Sequence, residues 1–427
     1  MHKAMRGVSV VAVAGAVVAL TATSALPAPR PARTERVTVS ATGEQGNGNA
    51  YGPQLSADGR FAVFTADASN LVPGDTNGSS DVFVRDLRKG TVERVDVASD
   101  GTQADGGMSE ARGISADGRY VLFSSNAHNL VHWDNPPTSE SAQDIYLHDR
   151  RTGSTKRISA ALDGGSAFTA AAVMTPDARF VAFNAKADRM ERNPGDLFGA
   201  VYVFDRRTGA VRRVANRDRP TVPALLGDIS ADGRYVSYTQ LVPRSANGVT
   251  WVHDRRTGTE ERVNVGADGT PVDHAANGPR LSADGRTVVF QYWGDGLVPG
   301  ETPDGQTHLY VRDLRTDVTR RIDPGPAGES VPGFPLLSPD GRYVAYQAAP
   351  RLPDGWTGPT NVYLRDLRTG STSLVSRSTT GGPVTDESVS LYSVSAGARH
   401  IGLGSSSGQL VTDDTNGHQD GFVRRMR

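Results

Sequence analysis

"DTNGSSDVFVRDLRKG" occupies Asp75 to Gly90, and "DTNGHQDGFVRRMR" occupies Asp414 to Arg427. The same phrase opens both stretches, and the second copy breaks off where the sequence stops. That pairing marks an internal repeat, and a repeat has to be read before any single motif. A turn phrase precedes each copy. It stands as "LSADGRFAVF" at Leu55, "ISADGRYVLF" at Ile114, "MTPDARFVAF" at Met174, "ISADGRYVSY" at Ile229, "LSADGRTVVF" at Leu281 and "LSPDGRYVAY" at Leu337, with a worn form, "VSAGARHIGL", at Val394. The Asp of each turn (Gly397 in the last) recurs after 59, 60, 55, 52, 56 and 57 residues. A second phrase follows each time: "DVFVRDLRKG" at Asp81, "DIYLHDRRTG" at Asp144, "AVYVFDRRTG" at Ala200, "VTWVHDRRTG" at Val249, "HLYVRDLRTD" at His308, "NVYLRDLRTG" at Asn361 and "DGFVRRMR" at Asp420.

Each unit carries the same physical content. Asp and Gly in "SADGR" supply a tight turn. "FAVF" and its relatives are short runs of aromatic and β-branched residues, apolar on both faces, as in a strand packed between two sheets. "VFVRD" is a third strand, "LRTG" turns it into a fourth, and a looser strand before "SADGR" completes the set. Seven four-stranded antiparallel units that bury both faces predict an all-β fold, a seven-bladed β-propeller.

The broken copy then has an explanation. "ERVTVSATGEQGNGN" from Glu35 matches "ERVDVASDGTQADGG" from Glu93 without a gap. The strand at residues 35–40 is therefore expected to complete the last blade, 389–427, and close the ring. Closure removes the exposed sheet edge. The whole propeller is expected to span 34–427, after a linker at 26–33.

The first 25 residues have a targeting pattern. His2, Lys3 and Arg6 precede the apolar run Val8 to Leu20, and small residues follow in "TATSALPAP". This is a secretory leader pattern with cleavage expected after Ala25; an uncleaved anchor is the alternative. The sequence contains no cysteine, so it offers neither a disulfide framework nor a lipid attachment site. A formal net charge of -1 over 427 residues gives no electrostatic footprint for nucleic acid or an acidic membrane surface.

The "[SP]xDGR" turn followed by "[VI]YVxD" resembles the TolB-type, WD-repeat-like propeller repeat, over Thr34 to Arg427. That resemblance implies a protein-interaction platform outside the cytoplasm; related propellers are accessory domains of peptidases. This chain departs from TolB in reading as seven blades rather than six and in showing no N-terminal α/β pattern. The division role of TolB is therefore not carried over.

The second-to-third-strand loops vary from blade to blade, whereas the turns at the other end do not. A binding face is expected on the variable side, around the central channel. Trp133, Trp293 and Trp356 fall in those loops, with His132 beside the first. Aromatics there suit a protein or carbohydrate ligand, or else pack beneath their own loops. Trp251 aligns with Phe83 and Tyr146 and belongs to the core. The opening phrase offers oxygen ligands: Asp75, Asn77 and Asp81, repeated as Asp414, Asn416 and Asp420. Either they hold Ca²⁺, which takes six to eight oxygens, or they are turn chemistry around "NG".

Catalytic motifs are thin. "GSSSG", Gly404 to Gly408, falls at a strand end and not at the strand-to-helix elbow a nucleophile needs. His128, His132, His274, His308 and His418 lie in or beside loops, at no metal-ligand spacing. A binding module that acts as a monomer outside the cytoplasm is the first expectation. A hydrolase or lyase with a divalent-metal or His/Asp/Glu site at the channel mouth is the alternative.

Overall fold

The computed structural model describes residues 32–132, 143–159, 171–185, 199–214, 223–242, 248–272, 276–294, 296–301, 305–322, 329–330, 333, 335–352 and 355–426. The leader and most of the linker lie outside them. The strands form seven antiparallel sheets. Blade 1 consists of Ala50–Leu55, Phe61–Ala66, Asp81–Asp86 and Val92–Arg94, paired in that order. Blades 2 to 6 repeat it over 109–157, 172–213, 224–262, 276–322 and 329–374. Blade 6 has a broken first strand, Glu329–Ser330 and Leu336–Leu337, so its sheet has five strands.

Blade 7 takes its first three strands from Ser390–Val394, His400–Ser405 and Asp420–Arg425, and its fourth from Arg33–Arg36. Arg33 pairs with Arg425 and Arg36 with Phe422. The closing ladder thus begins two residues before the expected Glu35. The chain then continues along the blade through single bonds: the Val37 amide donates to Gly421 O at 2.9 Å, and the Thr38 hydroxyl to Asp420 Oδ1 at 2.6 Å.

The second strands are buried on both faces, as their composition requires. In blade 1 every residue of Phe61–Ala66 is buried. One cross-strand aromatic pair recurs in the middle of the sheets: Phe64–Phe83, Phe123–Tyr146, Phe183–Tyr202, Phe290–Tyr310 and Tyr346–Tyr363, with ring centroids 5.4–6.0 Å apart. Trp251 takes that place in blade 4, opposite Tyr238, and packs against the core as expected. Neighbouring blades share their apolar clusters. Val63, Val82 and Val84 of blade 1 pack with Ala111, Val121 and Phe123 of blade 2. Burial of this kind stabilises by about 25 cal/mol per Å² of apolar surface.

The face carrying the "SADGR" turns is scaffold. Arg60, Arg119, Arg179, Arg234 and Arg342 each pair with the Asp that ends the third strand: Asp86, Asp149, Asp205, Asp254 and Asp366. Each guanidinium also lies 4.5–4.7 Å from the centroid of the aromatic ring that follows it in sequence. The hydrogen bonds from Arg119 hold the Asp149 carboxyl down at about 2. Blade 5 has Thr287 in place of the aromatic, and there Arg286 lies exposed beside Asp284. Blades are also tied across this face. Arg150 of blade 2 covers Phe61 of blade 1, Arg206 of blade 3 covers Tyr120, and Arg255 of blade 4 covers Phe180.

Candidate functional site

The opposite face is formed by the second-to-third-strand loops and the links between blades. Seven large apolar side chains are exposed among the described residues. Six lie on this face: Tyr51, Met108, Val242, Trp293, Leu352 and Trp356; only Val318 lies on the scaffold side. A monomer has no reason to gather its exposed apolar groups on one side, and such gathering marks contact surfaces. Trp356 is 76% exposed and Trp293 48%. Trp356 lies in a loop of blade 6, whereas Trp293 ends the second strand of blade 5, paired with Thr307, one step short of the expected loop; Arg351 bridges the two blades by donating to Gln306 Oε1. The Trp293 indole donates to Gly305 O at 3.2 Å, which fixes the ring's edge and leaves a face to solvent.

Trp133 lies outside the described residues, as do His274 and the loop aspartates Asp134, Asp188, Asp273 and Asp295. His132 lines a hollow of about 760 Å³ between blades 1 and 2, together with His128, Asn129, Asp100 and Thr155. The structure thus brings two of the loop histidines to one place and leaves His308 and His418 elsewhere. His308 is buried in the third strand of blade 5, with Arg321 at 2.8 Å.

The two "DTNG" loops have one geometry, and a guanidinium stands at its centre. In blade 1, Arg94 reaches Asp75 at 3.2 Å and Asp81 at 3.6 Å. In blade 7, Arg36 reaches Asp414 and Asp420, both at 3.2 Å. The asparagines turn their donor end to the carboxylate. Asn77 Nδ2 donates to Asp81 Oδ1 at 3.0 Å and to Ala104 O at 3.1 Å, while its Oδ1 accepts the Ser79 amide. Asn416 does the same with Asp420 Oδ2, Gly46 O and the His418 amide. A cation would need the oxygen end. Among the described residues no group of three or more His, Asp or Glu side chains could hold a metal ion.

The loops also clasp the link to the next blade. Gln103 exchanges hydrogen bonds with Thr76, and Gln45 with Thr415. One difference between the two blades changes the charge beside the carboxylate. Asp96 stands beside Asp81 where blade 7 has Thr38 beside Asp420. Burial, then Asp81, pushes the Asp96 carboxyl well above the usual carboxylate range. Burial, with Asp81 again adding to it, pushes Asp75 up to about 6.

Sequence reasoning singled out the acidic half of this arrangement and missed Arg36, Arg94, Gln45 and Gln103. The signal was available. A basic residue fills the same fourth-strand position in "ERVTV", "ERVDV", "KRIS" and "RRVA".

No protein-family model matches the chain, and no curated protein matches it. Solved propellers do. An oligogalacturonate lyase from Vibrio parahaemolyticus aligns with TM-score 0.59 and 12% identity, covering 93% of this chain and 97% of that one. The β-propeller domain of the Trilobed protease from Pyrococcus furiosus aligns with TM-score 0.54 and 13% identity, over 88% and 93%. TolB from Acinetobacter baumannii gives TM-score 0.41 and 17% identity, over 69% of this chain and 58% of that one. At these identities the likeness is one of fold, which many functions share. No helix among the described residues is long and apolar enough to cross a membrane.

Proposed function

We propose that this protein is a binding module that acts outside the cytoplasm and takes a protein or carbohydrate ligand on its variable-loop face. The location rests on the N-terminal leader pattern. The observation that carries the function is the one-sided placement of exposed apolar residues, with Trp293 and Trp356 on bridged neighbouring blades. Exposed tryptophans of this kind supply large contact area at low entropy cost. The scaffold face has a single exposed large apolar side chain among the described residues, Val318, and five of its turn arginines are engaged by aspartates and rings.

The test is binding to arrayed polysaccharides and peptides, followed by titration of tryptophan fluorescence with whichever class binds. Trp356→Ala and Trp293→Ala are expected to weaken binding about tenfold or more. Val318→Ala, on the other face, is expected to leave it unchanged. Equal binding by all three variants overturns this reading.

The hydrolase or lyase reading draws on one arrangement, the lining of a single hollow by His128, His132 and Asp100. General acid–base work needs such groups within hydrogen-bond reach of a substrate. Turnover of a bound polysaccharide that His132→Ala abolishes would favour it.

A further inference from the structure

Where blades 7 and 1 meet, an arginine on the third strand closes the junction. Arg85 of blade 1 donates from NH1 to the main-chain oxygens of Val39 and Ser40, at 2.9 and 3.2 Å, just past the closing strand of blade 7. Arg424 holds the same position in blade 7, where the corresponding main chain is that of Arg377 and Ser378 of blade 6. Arg424 donates to the Thr34 hydroxyl at 3.1 Å, as Arg312 and Arg365 do to Thr319 and Thr372 of their own blades, and its buried Nε has no hydrogen-bond partner among the described residues.

A substitution in the repeat lies across this junction. The position of Arg377 is valine in blades 1, 4 and 7. Val97, Val265 and Val39 each form an isolated bridge to a residue six positions on, as Arg377 does with Pro383. Blade 6 thus carries a cation where three other blades carry valine, and this cation donates to Gly381 O at 3.2 Å.

A hollow of about 720 Å³ opens there, lined by Thr34, Arg36, Thr379, Thr412, Arg377 and Arg424, among others. The charges do not cancel. Arg36 is matched by Asp414 and Asp420. Glu35, also in the lining, is matched by Arg33 and Arg425 at 3.0 and 3.3 Å. That leaves Arg377 and Arg424 against the exposed Asp413 on the rim. Burial, then the nearby charge of Arg377, holds the Arg424 guanidinium below its ordinary value.

We propose that this junction is an oxyanion site, in which the guanidiniums of Arg377 and Arg424 hold a carboxylate, sulfate or phosphate group, with the Thr379 and Thr412 hydroxyls as further donors. Guanidinium pairing with an oxyanion is short, charge-assisted and bidentate. The hollow falls within the range of about 300–1,000 Å³ typical of ligand pockets. The anion is therefore one group of a larger molecule. Thr34 comes from the first strand of the chain and Arg424 from the last, so the site exists only in the closed ring. It lies apart from Trp293 and Trp356 and stands or falls independently of them.

The experiment is calorimetric titration of the purified protein at constant ionic strength with sulfate, phosphate, galacturonate and, as neutral control, galactose. Saturable binding of at least one anion and none of galactose is expected. Arg377→Val, which installs the residue the repeat uses elsewhere, is expected to weaken binding about tenfold or more with an unchanged melting temperature, and Arg424→Gln to do likewise. Trp356→Ala is expected to leave it unchanged. Preference for galacturonate assigns the group to a uronate-type carboxylate, and preference for phosphate or sulfate to an ester. Absence of saturable binding of all three anions, equal binding of galactose, or full affinity in Arg377→Val overturns the proposal.

Discussion

Gly118 of blade 2 sits directly against the ring of Phe61 in blade 1: a Cβ at Gly118 would lie 2.2 Å from a Phe61 ring carbon. The same contact recurs between Gly233 and Phe180 and between Gly285 and Tyr235. The glycine of the "DGR" turn is thus required twice over. Its φ of +72° suits glycine, and the neighbouring blade leaves no room for a side chain. Gly118→Ala is expected to destabilise by about 1–3 kcal/mol. Pairing it with Phe61→Ala should recover part of that loss in a double-mutant cycle of urea melts.

The closing strand carries its own test in Arg36. This side chain is buried and pairs with two buried aspartates, Asp414 and Asp420. Arg36→Met leaves both carboxylates without their cation, which costs about 3–5 kcal/mol for a buried pair. Adding Asp420→Asn is expected to restore part of the stability. A melting temperature for Arg36→Met equal to that of the parent would show that the seam does not depend on the ion pair.

The "DTNG" loop of blade 1 and the scaffold aspartates predict opposite behaviour with pH. Asp75 and Asp96 have folded-state values raised above their unfolded ones, so the folded protein holds protons more tightly than the unfolded chain. Stability should therefore fall as pH rises from about 4 through about 6. Asp96→Thr, which copies the Thr38 of blade 7, is expected to flatten that decline and to leave the protein at least as stable at pH 7. The scaffold aspartates act in the other sense. Asp86 and Asp149 sit at about 2, so their contribution is present above about pH 4 and is lost as pH falls through about 2. Melts of the parent and of Asp96→Thr between pH 2 and 8 check both signs.

Calcium is expected to leave the melting temperature where excess EDTA leaves it, since Arg94 and Arg36 already occupy the carboxylates. A cation at about 100 times its dissociation constant would add about 2.7 kcal/mol. A calcium-dependent rise that is lost in both Asp81→Ala and Asp420→Ala would show that the ion displaces the guanidiniums.

The turn and strand phrases carry the blade number, the two-sided burial and the closure, because each is a local requirement repeated seven times. The ladder at the seam starts at Arg33 and not at Glu35, because Arg33–Arg36 faces the full length of Phe422–Arg425, whereas the sequence match begins only at Glu35. The acidic half of the "DTNG" arrangement was visible because its residues are close in sequence. Its basic half was not, because Arg94 approaches Asp81 only once the hairpin between them has folded. Arg377 stands out only beside Val39, Val97 and Val265, which hold its place in three other blades. Trp356 was legible as a loop residue and Trp293 as one beside the same face, at the end of its strand, but the bridge between the two blades was not, since Arg351 and Gln306 belong to different blades.

The pairing of Arg33 with Arg425 also sets an order in time. A chain made from its N-terminus produces the closing strand first and its partner last, so Arg33–Arg36 stays unmatched while nearly the whole protein is synthesised. Blades 1 to 6 can each form from local hairpins on their own clock. The seventh waits for the last residues, and a contact of that sequence separation is slow to find. Refolding is therefore expected to show fast acquisition of sheet followed by one slow step in which the ends meet. That step should be the one at which a chain lacking its final strand stalls, with an edge still open.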